Sequence, residues 1–177
     1  MKNSITILFL SVVCILNFGL LGCKTFPYSF TPRGTLDDSI KTVRVQLIEN
    51  RAPYVNPQLS PNLTDRLRQK ITRQTKLTQT NNDNANLDIS GTITDYSVLT
   101  TGVTSVNGQK QTSINRLTIT VHVTFNNQLK NDVKEADVSH SFDFPASQSL
   151  QQAEAQLLDE MVRNLSDEIF NRIFSDW

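Results

Sequence analysis

The chain has 177 residues, 17 Lys and Arg against 17 Asp and Glu, and two cysteines. That length suits one domain with a real core plus a short extra segment. A formal charge of zero argues against nucleic acid as a partner, and two cysteines are too few for a disulfide-built scaffold.

Lys2 makes the start positive, and Ile5 to Phe18 is mostly apolar but too short to span a bilayer comfortably as a helix. Residues 1–22 read as a cleaved signal peptide. It ends at Leu20-Leu21-Gly22-Cys23, which looks like the lipobox of bacterial lipoproteins. Cleavage before Cys23 would turn its thiol into a thioether to diacylglycerol, with the freed amine acylated as well, so Cys23 is the expected lipid anchor. Each buried methylene of such chains is worth about 0.8 kcal/mol, enough in sum to hold a domain on a membrane. Cys14 leaves with the signal, so the mature chain has no thiol pair. Lys24 rather than Asp after the anchor favours the outer membrane by the enterobacterial sorting rule. The lack of an acidic run after Cys23 points the domain toward the periplasm.

Residues 23–38 form the lipidated N-terminus and tether. They hold Pro27, Pro32 and Gly34 without sustained periodicity, while Phe26, Tyr28 and Phe30 alternate as in an extended piece lying on the domain or the membrane. Residues 39–177 make the folded domain. In Lys41 to Glu49, Val43, Val45 and Leu47 share one face of a half-buried strand. Asn50 to Gln58 is a connection. Ser60-Pro61 then reads as an N-cap followed by proline at the first helical position, and Leu63, Leu67 and Ile71 recur at helical spacing to about Thr75.

Thr80 to Asn86 is polar loop. Leu87, Ile89, Gly91 and Ile93 alternate with polar residues in a second strand, and Leu117, Ile119, Val121, Val123 and Phe125 do so in a third. Asn107-Gly108 between them is a strong hairpin signal. A two-residue turn there would set Tyr96 opposite Ile119 and Val98 opposite Leu117. Carried further without a break, it would put Ile93 opposite His122 and Ile89 opposite Asn126, mixing apolar and polar on one face. One extra residue near Thr94-Asp95 restores Ile93 against Val121 and Ile89 against Phe125, so a β-bulge is expected there. Val138 to Phe144 is a fourth strand, with His140 in its apolar phase. From Leu150 through Met161 and Leu165 to near Trp177 runs a long amphipathic helix. The expected fold is α+β in the order βαβββα, two helices on one face of a four-stranded, mainly antiparallel sheet.

Chemistry-bearing groups are sparse. His122 and His140 are the only histidines, no HxxxH or CxxC spacing exists, and Gly-rich phosphate loops are missing. Asp88, Asp95, Asp159-Glu160 and Asp167-Glu168 read as solvated carboxylates. No catalytic residue, metal or cofactor is expected. Charge does segregate: from Ser60 to Lys76 the bases Arg66, Arg68, Lys70, Arg73 and Lys76 meet only Asp65, whereas the last helix is rich in acids. Two readings stand, mutual complementarity of neighbouring helices or a basic face for an anionic partner such as glycolipid phosphates. The Thr- and Ser-rich strand faces suit solvent or the lumen of a β-barrel.

The lipobox, "YSF" at Tyr28 to Phe30, "TVRVQLIEN" at Thr42 to Asn50, "LSPNLTDRLRQKI" at Leu59 to Ile71, "DISGTITDYSV" at Asp88 to Val98, "NRLTITVHVTF" at Asn115 to Phe125 and "LSDEIFNRIFSDW" at Leu165 to Trp177 together resemble the LptE family of lipopolysaccharide-assembly lipoproteins. The resemblance implies the same fold and a role without catalysis. The protein would plug the outer-membrane barrel LptD, aid its assembly and contact lipopolysaccharide. Arg66, Lys70, Arg73 and Arg116 are candidate contacts on charge alone. The alternative is a free, periplasm-facing module that binds lipid or glycolipid.

Overall fold

A computed structural model describes residues 37–101 and 113–174. The signal, Cys23, the tether up to residue 36 and the Asn107-Gly108 turn lie outside the described residues. The elements are β1 (Thr42–Val45), β2 (Glu49–Asn50), α1 (Leu59–Gln74), β3 (Thr78–Gln79), β4 (Leu87–Thr101), β5 (Ile114–Asn127), β6 (Asp132–Pro145) and α2 (Leu150–Phe174). Two helices and a sheet confirm the α+β class. The sheet itself differs from the expected four antiparallel strands. It has six, in the order β3-β1-β4-β5-β6 with β2 also on β4, and it is mixed: β1 is parallel to β3 and β4, β2 is parallel to β4, and β4-β5-β6 are antiparallel. The reason is α1, which carries the chain back to the end where β1 began, so β4 must run beside β1 in the same direction. Alternation within a strand records which face is buried and says nothing about direction. The two-residue strands β2 and β3 are too short to show a period at all.

The first strand is shorter than Lys41 to Glu49. Val43 and Val45 point inward as expected, but Leu47 is 56% exposed and Ile48 only 1%. Gly91 on β4 supplies the cause, because a Cβ built there would lie 3.4 Å from Ile48 Cγ1 and 3.4 Å from His122 O. Ile48 thus fills the core space that a side chain at position 91 would claim, and the chain breaks phase to bring it in. Two hydroxyls of α1 fasten this break: Ile48 N donates to Thr64 Oγ1 (3.0 Å), and Ser60 Oγ donates to Ile48 O (2.5 Å). Ser60 is therefore not the N-cap. That position belongs to Gln58, whose N–H donates to Asn56 Oδ1 (2.9 Å). Pro61 still sits in the first turn, where its missing N–H costs nothing. Leu63, Leu67 and Ile71 are buried as the spacing requires, joined by Leu59.

On β4 and β5 the expected register holds: Tyr96 faces Ile119, Val98 faces Leu117, Ile93 faces Val121 and Ile89 faces Phe125, with the register shift between Ile93 and Asp95. The bulge keeps Ile93 and Tyr96 in the same core. Strand β6 starts earlier than Val138. The turn before it is tight, with Asn127 Oδ1 accepting from the Leu129 and Lys130 N–H groups and Asn131 at φ 50°, and pairing with β5 begins at once. Lys134-Glu135 hid this part from any apolar pattern. A capping box opens α2, Gln152 N donating to Ser149 Oγ and Ser149 N to Gln152 Oε1. Its Met161, Leu165, Ile169 and Ile173 join α1 and the inward sheet residues in one core.

Candidate functional site

Helices α1 and α2 pack side by side, and their facing surfaces carry opposite charge only in part. Lys70 Nζ lies 2.6 Å from Asp167 Oδ1 and 5.2 Å from the Phe170 ring centroid, so one cation of α1 is matched. Arg68 is structural, its guanidinium donating to Val45 O (3.1 and 2.7 Å). The rest is surplus. Arg66, Gln69, Lys70, Arg73, Arg163 and Asp167 line a cleft of about 250 Å³ between the helices, in which four cations face one carboxylate. Among the described residues, the guanidinium groups of Arg66, Arg73 and Arg163 have no hydrogen-bond partner. The helices are thus complementary at Lys70, and positive charge without a partner among the described residues remains beside it. Such a cleft can hold an anion, since guanidinium forks match phosphate geometry.

Of the four candidate contacts, the structure gathers Arg66, Lys70 and Arg73 and leaves out Arg116. Arg116 stands on β5, where Nε and Nη2 form a bidentate pair with Asp143 at 2.7 and 2.8 Å. That pairing holds the Asp143 carboxyl below its ordinary range. The histidines sit as read: His122 makes an exposed cross-strand contact, Nδ1 2.8 Å from Asp137 Oδ1. His140 faces α2, near Asn164 (3.3 Å) and Glu168 (3.4 Å), with its ring against Phe142. Among the described residues no group of three or more His, Cys, Asp or Glu could hold a metal ion, and no helix is long and apolar enough to cross a membrane.

One cluster escaped the sequence reading. Glu154 on α2 is buried, and it accepts from Tyr96 OH on Oε1 (2.5 Å) and from Tyr54 OH on Oε2 (3.1 Å), the two rings lying 5.2 Å apart. Burial first, then the Glu154 carboxylate, push both phenols above their ordinary range. The signal was present in the helical period, because Glu154 stands four residues after Leu150 on the apolar stripe. The cluster ties the connection before α1 and the bulged part of β4 to the start of α2.

Comparison with known proteins adds the family. Among solved structures, a minor lipoprotein from Acinetobacter baumannii is similar at a TM-score of 0.50 and 14% identity, over 78% of this chain and 95% of that one. A protein described as a neuraminyllactose-binding hemagglutinin homolog from Helicobacter pylori is similar at a TM-score of 0.52 and 12% identity, over 77% and 85%. At such identities the likeness is one of fold. No curated protein sequence matches. The family model described as "LptE: Lipopolysaccharide-assembly" matches residues 40–173, from the approach to β1 almost to the end of α2, and the chain belongs to the LptE family.

Proposed function

We propose that this protein is a non-catalytic outer-membrane lipoprotein of the lipopolysaccharide-transport machinery. It is tied to the bilayer by acyl chains on Cys23 and seated in the barrel of an LptD-type translocon, whose assembly it aids. The observation that carries this reading is the family match over residues 40–173. The lipobox at Leu20 to Cys23 supports the anchor. Within the same reading, the cleft between α1 and α2 takes phosphate groups of lipopolysaccharide, because Arg66, Arg73 and Arg163 offer guanidinium forks that nothing among the described residues occupies. Arg116 is spent on Asp143 and has no part in it.

The first test is affinity purification of the full chain from detergent-solubilised membranes. A large β-barrel protein should accompany it; a chain that comes alone yet binds glycolipid would instead be the free binding module. The second test addresses the cleft. Arg66→Glu with Arg73→Glu should weaken lipopolysaccharide binding about tenfold or more, because each lost charge-assisted contact is worth about 1.5–3 kcal/mol, and should flatten its salt dependence. Unchanged binding removes the cleft from the reading and leaves the anchor and barrel untouched.

A further inference from the structure

Strand β6 borders the sheet. It pairs with β5 through all 14 residues of Asp132–Pro145 without a register shift, and among the described residues no strand pairs with its other side. Which residues face that open side follows from hydrogen-bond phase. Ala146 N donates to Ser113 O, and Pro145, opposite Ile114, has no N–H to give. Bonded and non-bonded pairs alternate in an antiparallel ladder. Phe144, Phe142, His140, Val138, Ala136 and Lys134 therefore bond to β5. Their neighbours Val133, Glu135, Asp137, Ser139, Ser141 and Asp143 turn N–H and C=O outward, and all six are exposed. The bond from Gln128 N to Asn86 O gives the same phase from the β4 side, because a residue in a central strand commits both backbone groups to one neighbour.

A long open edge invites another strand, and proteins usually blunt it with a bulge, a proline or charge. Here neither glycine nor proline occurs before Pro145, and the decoration is acidic. The outward row carries Glu135, Asp137 and Asp143 and no cation. Beside Ser141 and Asp143 the edge opens on a cleft of about 180 Å³ whose other wall is Leu157 and Glu160 of α2, which adds a fourth carboxylate; its one cation, Arg116, is already paired with Asp143.

We propose that the outer edge of β6 is a strand-addition site for an extended, basic segment of a partner protein. The segment hydrogen-bonds to the outward residues and sets Lys or Arg side chains against Glu135 and Asp137, whose cross-strand neighbour is the His122 ring, and beside Asp143, which Arg116 already holds. A second copy of this chain fits worse. It would bring Glu135, Asp137 and Asp143 to the seam a second time with no cation in its outward row to meet them, and like charges brought together are destabilising.

Amide hydrogen exchange on the full chain in detergent micelles tests this, with a synthetic decapeptide of alternating Lys and Val as probe and a Glu-Val decapeptide as control. In the free chain the amides of Glu135, Asp137, Ser139, Ser141 and Asp143 should exchange fast, while those of their even-numbered neighbours are protected. The basic peptide should slow the five by tenfold or more, an effect reduced by salt, and the acidic one should not. Ser139→Pro removes an outward N–H and no backbone bond to β5, losing beside it only the exposed side-chain bond from Thr120 Oγ1 (3.1 Å). It should abolish the peptide effect while protection of Val138 and His140 reports an intact strand. The proposal is overturned if the outward amides are already protected in the free chain, which would mean that another part of the chain or a second copy covers the edge. It is equally overturned if the peptide leaves them fast, or if the acidic control protects them as well.

Discussion

Glu154 occupies an α2 position that the helical period assigns to the core, and it is 9% exposed. A carboxylate survives there because each oxygen has a phenol donor. Tyr96→Phe keeps the ring and strips Oε1 of its partner, so unfolding free energy in denaturant titration should fall by about 1–3 kcal/mol. Tyr54→Phe, on a more exposed ring, should cost less. Asp37 is the contrasting case, an exposed carboxyl that the Ser39 backbone N–H and then the Lys130 side chain lower from 3.8 to about 2. Folding favours its charged form. Its contribution to stability is therefore present above pH 3.8 and lost as pH falls through about 2. An NMR titration should show the Asp37 midpoint rising in Lys130→Ala, but only part of the way to 3.8, because the Ser39 N–H remains.

At the scale of elements, the bulge in β4 lends itself to a comparison of two deletions of equal length. Thr94 is the residue left without a cross-strand partner, since Ile93 faces Val121 and Asp95 faces Thr120. Removing Thr94 closes the register with every other pair intact. Removing Thr92 instead turns buried Ile93 outward and Thr94 inward. The Thr92 deletion should lose about 2–5 kcal/mol more than the Thr94 deletion, the range for stripping a large aliphatic from a core, as read by thermal or chemical unfolding. Gly91 yields a graded series of the same kind. A methyl group at 3.4 Å from Ile48 Cγ1 is ordinary contact, so Gly91→Ala should be tolerated, whereas Gly91→Val competes with Ile48 and should cost about 1–3 kcal/mol. The apolar period of Val43 and Val45 runs on to Leu47 in the sequence, and the chain abandons it because Ile48 has a vacancy over Gly91 to fill. No window along β1 contains that fact.

For the whole molecule, the proposed anchor and the observed domain separate cleanly in sequence: the lipobox ends at Cys23, and the family match begins at residue 40. Cys23→Ala should block acylation and move the protein from the detergent phase to the aqueous phase in a phase-partition assay, with the unfolding transition of the domain unchanged. Partition into detergent by Cys23→Ala would remove the anchor from the account. The domain offers two differently charged surfaces, a basic cleft between α1 and α2 and an acidic edge on β6. A net charge near zero concealed both, because it sums over every surface of the chain.

What the amino-acid sequence determined by itself was local and periodic: the two helices, the inward faces of the long strands, and the bulge that keeps Ile93 and Tyr96 in one core. These follow from spacing along the chain, where burial and backbone geometry leave a mark within a few residues. Three features were settled only by the tertiary structure: the parallel pairing of β1 with β4, the pairing of two-residue strands, and the separation of Arg116 from Arg66 and Arg73. Each depends on which distant segments lie side by side, and that is decided by filling the core and satisfying backbone hydrogen bonds across the whole fold, a balance that no short stretch records.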